Sequence, residues 1–243
     1  EIDGLNPADY GVKTYNIVGC GIPTVGQYYI LDKKPDGSYV YNIRMINGDG
    51  TVPIKSAEAI PSLKTYFIKN VDHSVMPSAS GVREIITSIL NGTENPDTSA
   101  YPNIIESEAN CPIADGKIVS FHSPISLDVY DSSGNHAGLN ANGDTENNIP
   151  GVRYETIEDN KFAFLPEGGD YNIVGKATGN GSFDVRIETM SGGEVTDTTL
   201  FNDVPIFIDS QTKFSVGSTT PKEIMLDKNG DNIFESIVNV STA

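Results

Sequence analysis

The chain holds 243 residues, 37% hydrophobic and 20% charged, with 24 Gly, 14 Pro and no Trp; it is too apolar for disorder and lacks the glycine period of collagen. The net charge of −17, from 16 Lys and Arg against 33 Asp and Glu, argues against nucleic acid as a partner, because phosphate binding needs a basic stripe. No run approaches the roughly 20 apolar residues of a membrane helix, and the first residues lack a basic start followed by an apolar core, so a soluble chain with no visible signal peptide is expected.

Charge is spread unevenly, about −5 before Cys111 and about −12 from there on, which points to two modules. The acidic second half resembles a secreted surface module, so an extracellular or cell-surface location is expected. Two cysteines, Cys20 and Cys111, cannot make a disulfide framework. Cys20 lies in the apolar run Ile17-Val18-Gly19-Cys20 and reads first as a small buried hydrophobe; a single bridge to Cys111 stays open.

Taken in chain order, Val12 to Cys20 (VKTYNIVGC) is β-branched and aromatic, and it ends among glycines like a buried strand entering a tight loop. Two alternating runs around Pro35-Asp36-Gly37 read as a hairpin, since Pro presets φ and Gly supplies φ > 0. Asn47-Gly48-Asp49-Gly50-Thr51-Val52-Pro53 follows, then a helical turn or two around Ser56-Ala57-Glu58-Ala59, a second core strand Lys64 to Lys69 (KTYFIK), and His73 just beyond it. Val82, Ile85, Ile86, Ile89 and Leu90 recur at helical spacing, with Glu84 in the first turn and Asn91-Gly92 as a stop, predicting one amphipathic helix.

A compositional break at residues 93–116, rich in Asn, Pro, Ser and Thr, reads as a linker between a first domain, 1–92, and a second, 117–243. In the second domain, runs such as ISLDVYD, KFAFLP, SFDVRIE and KFSVGS come at intervals of roughly 10 to 15 residues between Gly-rich turns. They predict an all-β antiparallel sandwich of about seven or eight strands, with Phe183, Val185 and Ile187 on one face and Asp184, Arg186 and Glu188 on the other.

The spacing from Asp49 to His73 suggests chemistry. If the chain leaves one strand, crosses over and returns along a parallel neighbour, both residues emerge at one sheet edge within reach of each other, because adjacent strands lie roughly 5 Å apart. An acid that orients an imidazole makes that imidazole a general base. The plain alternative, a turn Asp and an unrelated surface His, stays open on spacing alone.

The blocks YNIVGCGIPTVGQYYI, GDGTVPIKSA and VDHSVM with the Ile-rich helix behind it resemble, in order, the C-terminal third of the lecithin:cholesterol acyltransferase family of α/β-hydrolases. The resemblance covers about residues 10 to 92. It implies an α/β architecture for the first domain, namely the C-terminal strands and helix of a hydrolase sheet, with Asp49 as triad acid, His73 as triad base and Gly48, Gly50, Thr51 and Ser56 shaping the acid loop.

The nucleophile elbow Gly-x-Ser-x-Gly is absent from the sequence, so the expected protein is part of a longer serine-type lipid ester hydrolase or acyltransferase, inactive by itself. Its partners would be the N-terminal part of the same protein carrying the serine and a lipid or ester substrate, with self-association through an exposed sheet edge as a further expectation. A competing reading makes the chain a non-catalytic binding or adhesion module whose sandwich carries the function.

No cofactor is required. Asp227, Asn229 and Asp231 alternate around a glycine turn as oxygen ligands do in calcium loops, while the same residues also suit a polar hairpin turn. Asp131 to Asn135 and Asn140 to Asp144 repeat the pattern more weakly. His122 and His136 lack zinc-type neighbours and read as surface residues.

Overall fold

A computed structural model describes residues 4–33, 37 and 39–241. The chain divides into two units: one of residues 1–27 and 44–114, the other of residues 28–43 and 115–243. None of the described helices is long and apolar enough to cross a membrane.

In the first unit, β1 (Tyr15–Cys20) continues into β2 (Ile22–Lys33) and the chain returns through β3 (Tyr39–Gly48); the stretch of these two strands from Tyr28 to Ile43 belongs to the second unit. A four-residue helix, α1 (Ile54–Ala57), precedes β4 (Lys64–Lys69), and a 3-10 turn over His73–Ser78 leads to α2 (Val82–Leu90) and β5 (Ile104–Ile105). β4 lies between β1 and β5, parallel to β1 with Tyr15 opposite Lys64, and antiparallel to β5 with Ile68 opposite Ile104. α2 presents Val82 and Ile85 to Tyr66, Ile68 and Met76, whereas Ile86 and Leu90, expected on the same apolar face, are exposed. Gly81, with φ +85°, starts it in a left-handed conformation that a side chain would resist.

The expected partial α/β-hydrolase sheet is not what the chain forms. The described residues are mostly antiparallel β-structure with few helices. β1 and β4 are the one pair of described strands running parallel, and they are joined by a strand hairpin and a single helical turn, with no crossover helix that could cover a parallel sheet. In the place of that helix, residues 22–33 and 39–48 form two paired strands. Pro35 and Asp36 of the predicted hairpin turn lie outside the described residues.

Residues 101–113 pack against this sheet. Ile104 is buried beside Tyr66 and Ile68, the Lys69 N–H donates to the Asn103 carbonyl at 2.8 Å, and Cys111 forms a disulfide with Cys20. Cys20 is thus buried, but as half of a bridge. The bridge closes a loop with a sequence separation of 91.

The second unit has β6 (Gly116–His122), β7 (Asp128–Asp131), β8 (His136–Leu139), β9 (Thr145–Asn147), β10 (Arg153–Ile157) and β11 (Asn160–Pro166). It continues with β12 (Tyr171–Lys176), β13 (Gly181–Ser191), β14 (Glu194–Ile206), β15 (Gln211–Val216), β16 (Glu223–Asp227) and β17 (Ser236–Asn239). These form one sheet in the order β10-β11-β6-β13-β14 and another in the order β17-β16-β15-β12-β7-β8-β9. Every registered pair within the two sheets is antiparallel. The sandwich therefore carries twelve described strands instead of seven or eight, because short segments such as β8 and β9 lack enough alternation to show in the sequence.

Phe183, Val185 and Ile187 enter a core shared by both sheets with Phe121, Val129, Ile173 and Phe214. The Phe121 and Phe214 rings lie 6.0 Å apart. Burying each such ring stabilises the fold by roughly 1.5–3 kcal/mol. The tight β13–β14 turn uses Gly192 and Gly193 at φ +60° and +83°, the pair of positive angles that a two-residue hairpin loop demands.

Glu188 on the opposite face is buried too. It accepts from Asn42 Nδ2 at 3.2 Å and from Arg186 Nε at 2.7 Å. A buried carboxylate is tolerated because it is both paired and hydrogen-bonded.

Candidate functional site

β1 and β4 end side by side, and the chain beyond each is pinned into one locus. Ile22, just past β1, forms a parallel bridge with Asp49. Asp49 is 3% exposed, and its two oxygens have different duties. Oδ1 accepts the N–H groups of Thr51 at 3.0 Å and Val52 at 2.7 Å, closing the loop on itself. Oδ2 lies 2.9 Å from Nδ1 of His73. The backbone adds a second tie, with the His73 N–H donating to the Asp49 carbonyl at 3.0 Å. His73 heads its 3-10 turn, which Asp72 caps by accepting from the Ser74 N–H.

The local sequence explains this approach. A Cβ on Gly19 would stand 2.3 Å from Asp49 Cβ and 2.5 Å from Met76 Cε, so only glycine lets the acid loop close over the end of β1. A Cβ on Gly48 would meet Thr24 Oγ1 and the Val52 carbonyl, each at 2.5 Å. Gly50 takes φ +89°, and its N–H donates to Thr24 Oγ1 at 2.8 Å. Thr51 contributes its N–H, whereas Ser56 sits exposed on α1.

Since a carboxylate only accepts, the 2.9 Å contact holds the His73 proton on Nδ1 and leaves the lone pair on Nε2. The His73 side chain is 49% exposed, and among the described residues Nε2 has no hydrogen-bond partner. The arrangement can take a proton at Nε2 and stabilise the resulting imidazolium through the buried carboxylate.

The proposed calcium residues sit differently. Asp227 Oδ1 accepts the N–H groups of Asn229 and Gly230 at 3.2 and 2.8 Å, and Oδ2 that of Asn232 at 2.8 Å. Asn229 and Asp231 bond each other, and Asp231 also accepts from Ile233 N–H. Burial pushes the Asp227 carboxyl up, but the backbone amides of Gly230, Asn232 and Asn229 outweigh it and hold the carboxyl below its ordinary range. Asp131 and Asn140 likewise accept from the amides of their own turns. Among the described residues no group of three or more His, Cys, Asp or Glu converges as metal ligands do.

The two other histidines are not surface residues. His122 is buried, with Nε2 3.0 Å from the Tyr41 carbonyl and its ring edge-on to Phe162, because the face of β6 opposite Phe121 is covered. His136 is wedged between Asp128 Oδ1 on Nε2, at 2.9 Å, and Glu146 Oε1 on Nδ1, at 3.2 Å, so neither ring nitrogen is open. Lys161 is also buried, its ammonium donating to the Asp159 carbonyl at 2.7 Å, and burial lowers its pKa.

Comparison with protein-family models, with curated proteins and with solved structures returned no match. With the nearly all-β architecture, this overturns the resemblance to the lecithin:cholesterol acyltransferase family. The blocks that carried it are Gly-, Pro- and Asp-rich strand ends, which follow from tight-turn stereochemistry in unrelated folds. Thr24 and Met76 escaped the sequence reading, and Gly19 entered it only as a tight-loop glycine, since only the closed loop shows what they touch.

Proposed function

We propose that Asp49 and His73 form a proton-transfer couple of serine-type ester hydrolysis or acyl transfer, the acid orienting the base. The reading is carried by one observation: the 2.9 Å contact between Asp49 Oδ2 and His73 Nδ1, with the acid buried and the base half-exposed. Surface Asp–His pairs exchange with water on both sides. Here the loop amides fix the acid from behind, so the imidazole is pre-oriented before any substrate arrives. The hydroxyl nucleophile is supplied from outside this sequence, and the 243 residues alone are inactive. The proposed substrate class is a lipid or other ester.

A short-chain nitrophenyl ester tests the assignment. The chain alone gives no turnover above buffer. A longer product of the same gene that supplies a serine hydrolyses the ester, with kcat falling about 10³–10⁴-fold in His73→Ala and in Asp49→Ala. Turnover that survives both substitutions overturns the reading.

A further inference from the structure

The acid and base loops share an anchor that the proton-transfer chemistry does not use. Asn47 stands two residues before Asp49 at the end of β3. Its Oδ1 accepts the Gly21 N–H at 2.6 Å, and its Nδ2 donates to the Cys111 carbonyl at 2.7 Å. One carboxamide therefore ties three segments together: the strand end that delivers Asp49, the turn after β1, and the half-cystine whose sulfur is bonded to Cys20.

The base loop reaches the same turn by another route. Asn70, three residues before His73, donates its N–H to the Cys20 carbonyl at 2.8 Å and adopts φ +56°. Its Oδ1 lies so near Gly21 that a Cβ there would come within 2.2 Å of it. Gly21 itself takes φ +89°, a conformation glycine adopts at no steric cost. The turn over Cys20 and Gly21 is thus a common footing for both loops, and Asn47 is what fastens the acid's side to it.

We propose that Asn47 is a positioning residue for the Asp49–His73 couple, holding the acid loop at the reach from which Oδ2 meets Nδ1. This rests on the couple being the functional pair. A purely structural amide would contribute to stability alone, whereas a positioning amide controls how often the couple is closed. Both polar atoms of Asn47 are committed to backbone partners, so truncation opens both ties at once. The effect should reach Asp49 across only Gly48.

The test is imidazole NMR on the whole chain, following the hydrogen-bonded Nδ1 proton of His73, assigned by its loss in His73→Gln. The unaltered protein shows a slowly exchanging, downfield Nδ1 proton. In Asn47→Ala its solvent exchange rises about tenfold or more, while the thermal transition stays cooperative and the disulfide intact by mass. Should Asn47→Ala not fold, Asn47→Asp serves, since it keeps the acceptor for Gly21 and removes the donor to Cys111. Unchanged exchange in a folded Asn47 variant overturns the positioning role and leaves the couple standing. Absence of the protected proton from the unaltered protein removes the couple and the positioning role with it.

Discussion

Asp49 in the first unit and Asp227 in the second begin from the same local chemistry. Each is a buried aspartate at a strand end, in a glycine-containing loop, with Oδ1 accepting two backbone amides from the residues just ahead. They part at the second oxygen, which Asp227 spends on the Asn232 amide and Asp49 on the His73 imidazole. The contrast teaches that a turn-forming aspartate becomes a chemical one when a second chain segment brings a titratable group to its free oxygen. The neighbouring strand β4 makes the difference, since its end delivers His73.

The comparison can be broken most forcefully at the disulfide beneath the first locus. Replacing Cys20 and Cys111 together by Ala should cost about 2–5 kcal/mol, given the long loop that the bridge closes, read from denaturant midpoints. A loss confined to a few tenths would show that the footing of the two loops is held by packing alone. Next in size is Gly19→Ala, whose Cβ overlaps Asp49 and Met76. It should cost about 1–3 kcal/mol and abolish the protected His73 proton, a paired loss that no Ala substitution on the β13–β14 turn would produce.

The pH response sharpens the contrast further. Asp227 has a folded pKa below its ordinary value near 3.8, so its contribution is present above the unfolded value and lost as pH falls through the folded one. Asp227→Asn should flatten the acid limb of the stability curve, measured as Tm between neutral pH and about pH 3; an unchanged limb would mean that the loop amides do not hold this carboxylate. The smallest effect belongs to Lys64 and Glu106, an exposed ion pair at 2.8 Å. Glu106→Gln should change stability by less than about 1 kcal/mol, and a larger change would reveal a network around β4 and β5.

The sequence reading located the core strand Lys64–Lys69 and the helix ending at Leu90, because a compact apolar run and a helical period are local signals. Spacing offered Asp49 and His73 as a pair without deciding against a turn Asp and an unrelated His, and the triad roles came only from the resemblance; the two side chains do meet. The architecture escaped the sequence reading. Loops that end strands look alike across folds, so blocks such as GDGTVPIKSA brought an α/β expectation that the pairing of the strands overturned. The cysteine bridge stayed only an open alternative, since nothing local to Cys111 signals that the stretch 104–113 folds back on the sheet. Glu188 shows the same limit: alternation marks it as outward, and only the assembled unit reveals Asn42 beside it.

That last pair bears on how the molecule can be dissected. Residues 28–43 fold with the second unit although they interrupt the first in sequence, so no single scissor cut separates the two. A recombinant piece starting near residue 115 would discard Asn42 and leave the Glu188 carboxylate with one fewer donor. Such a piece should express poorly or precipitate, while one that grafts residues 28–43 back on through a short tether should recover solubility.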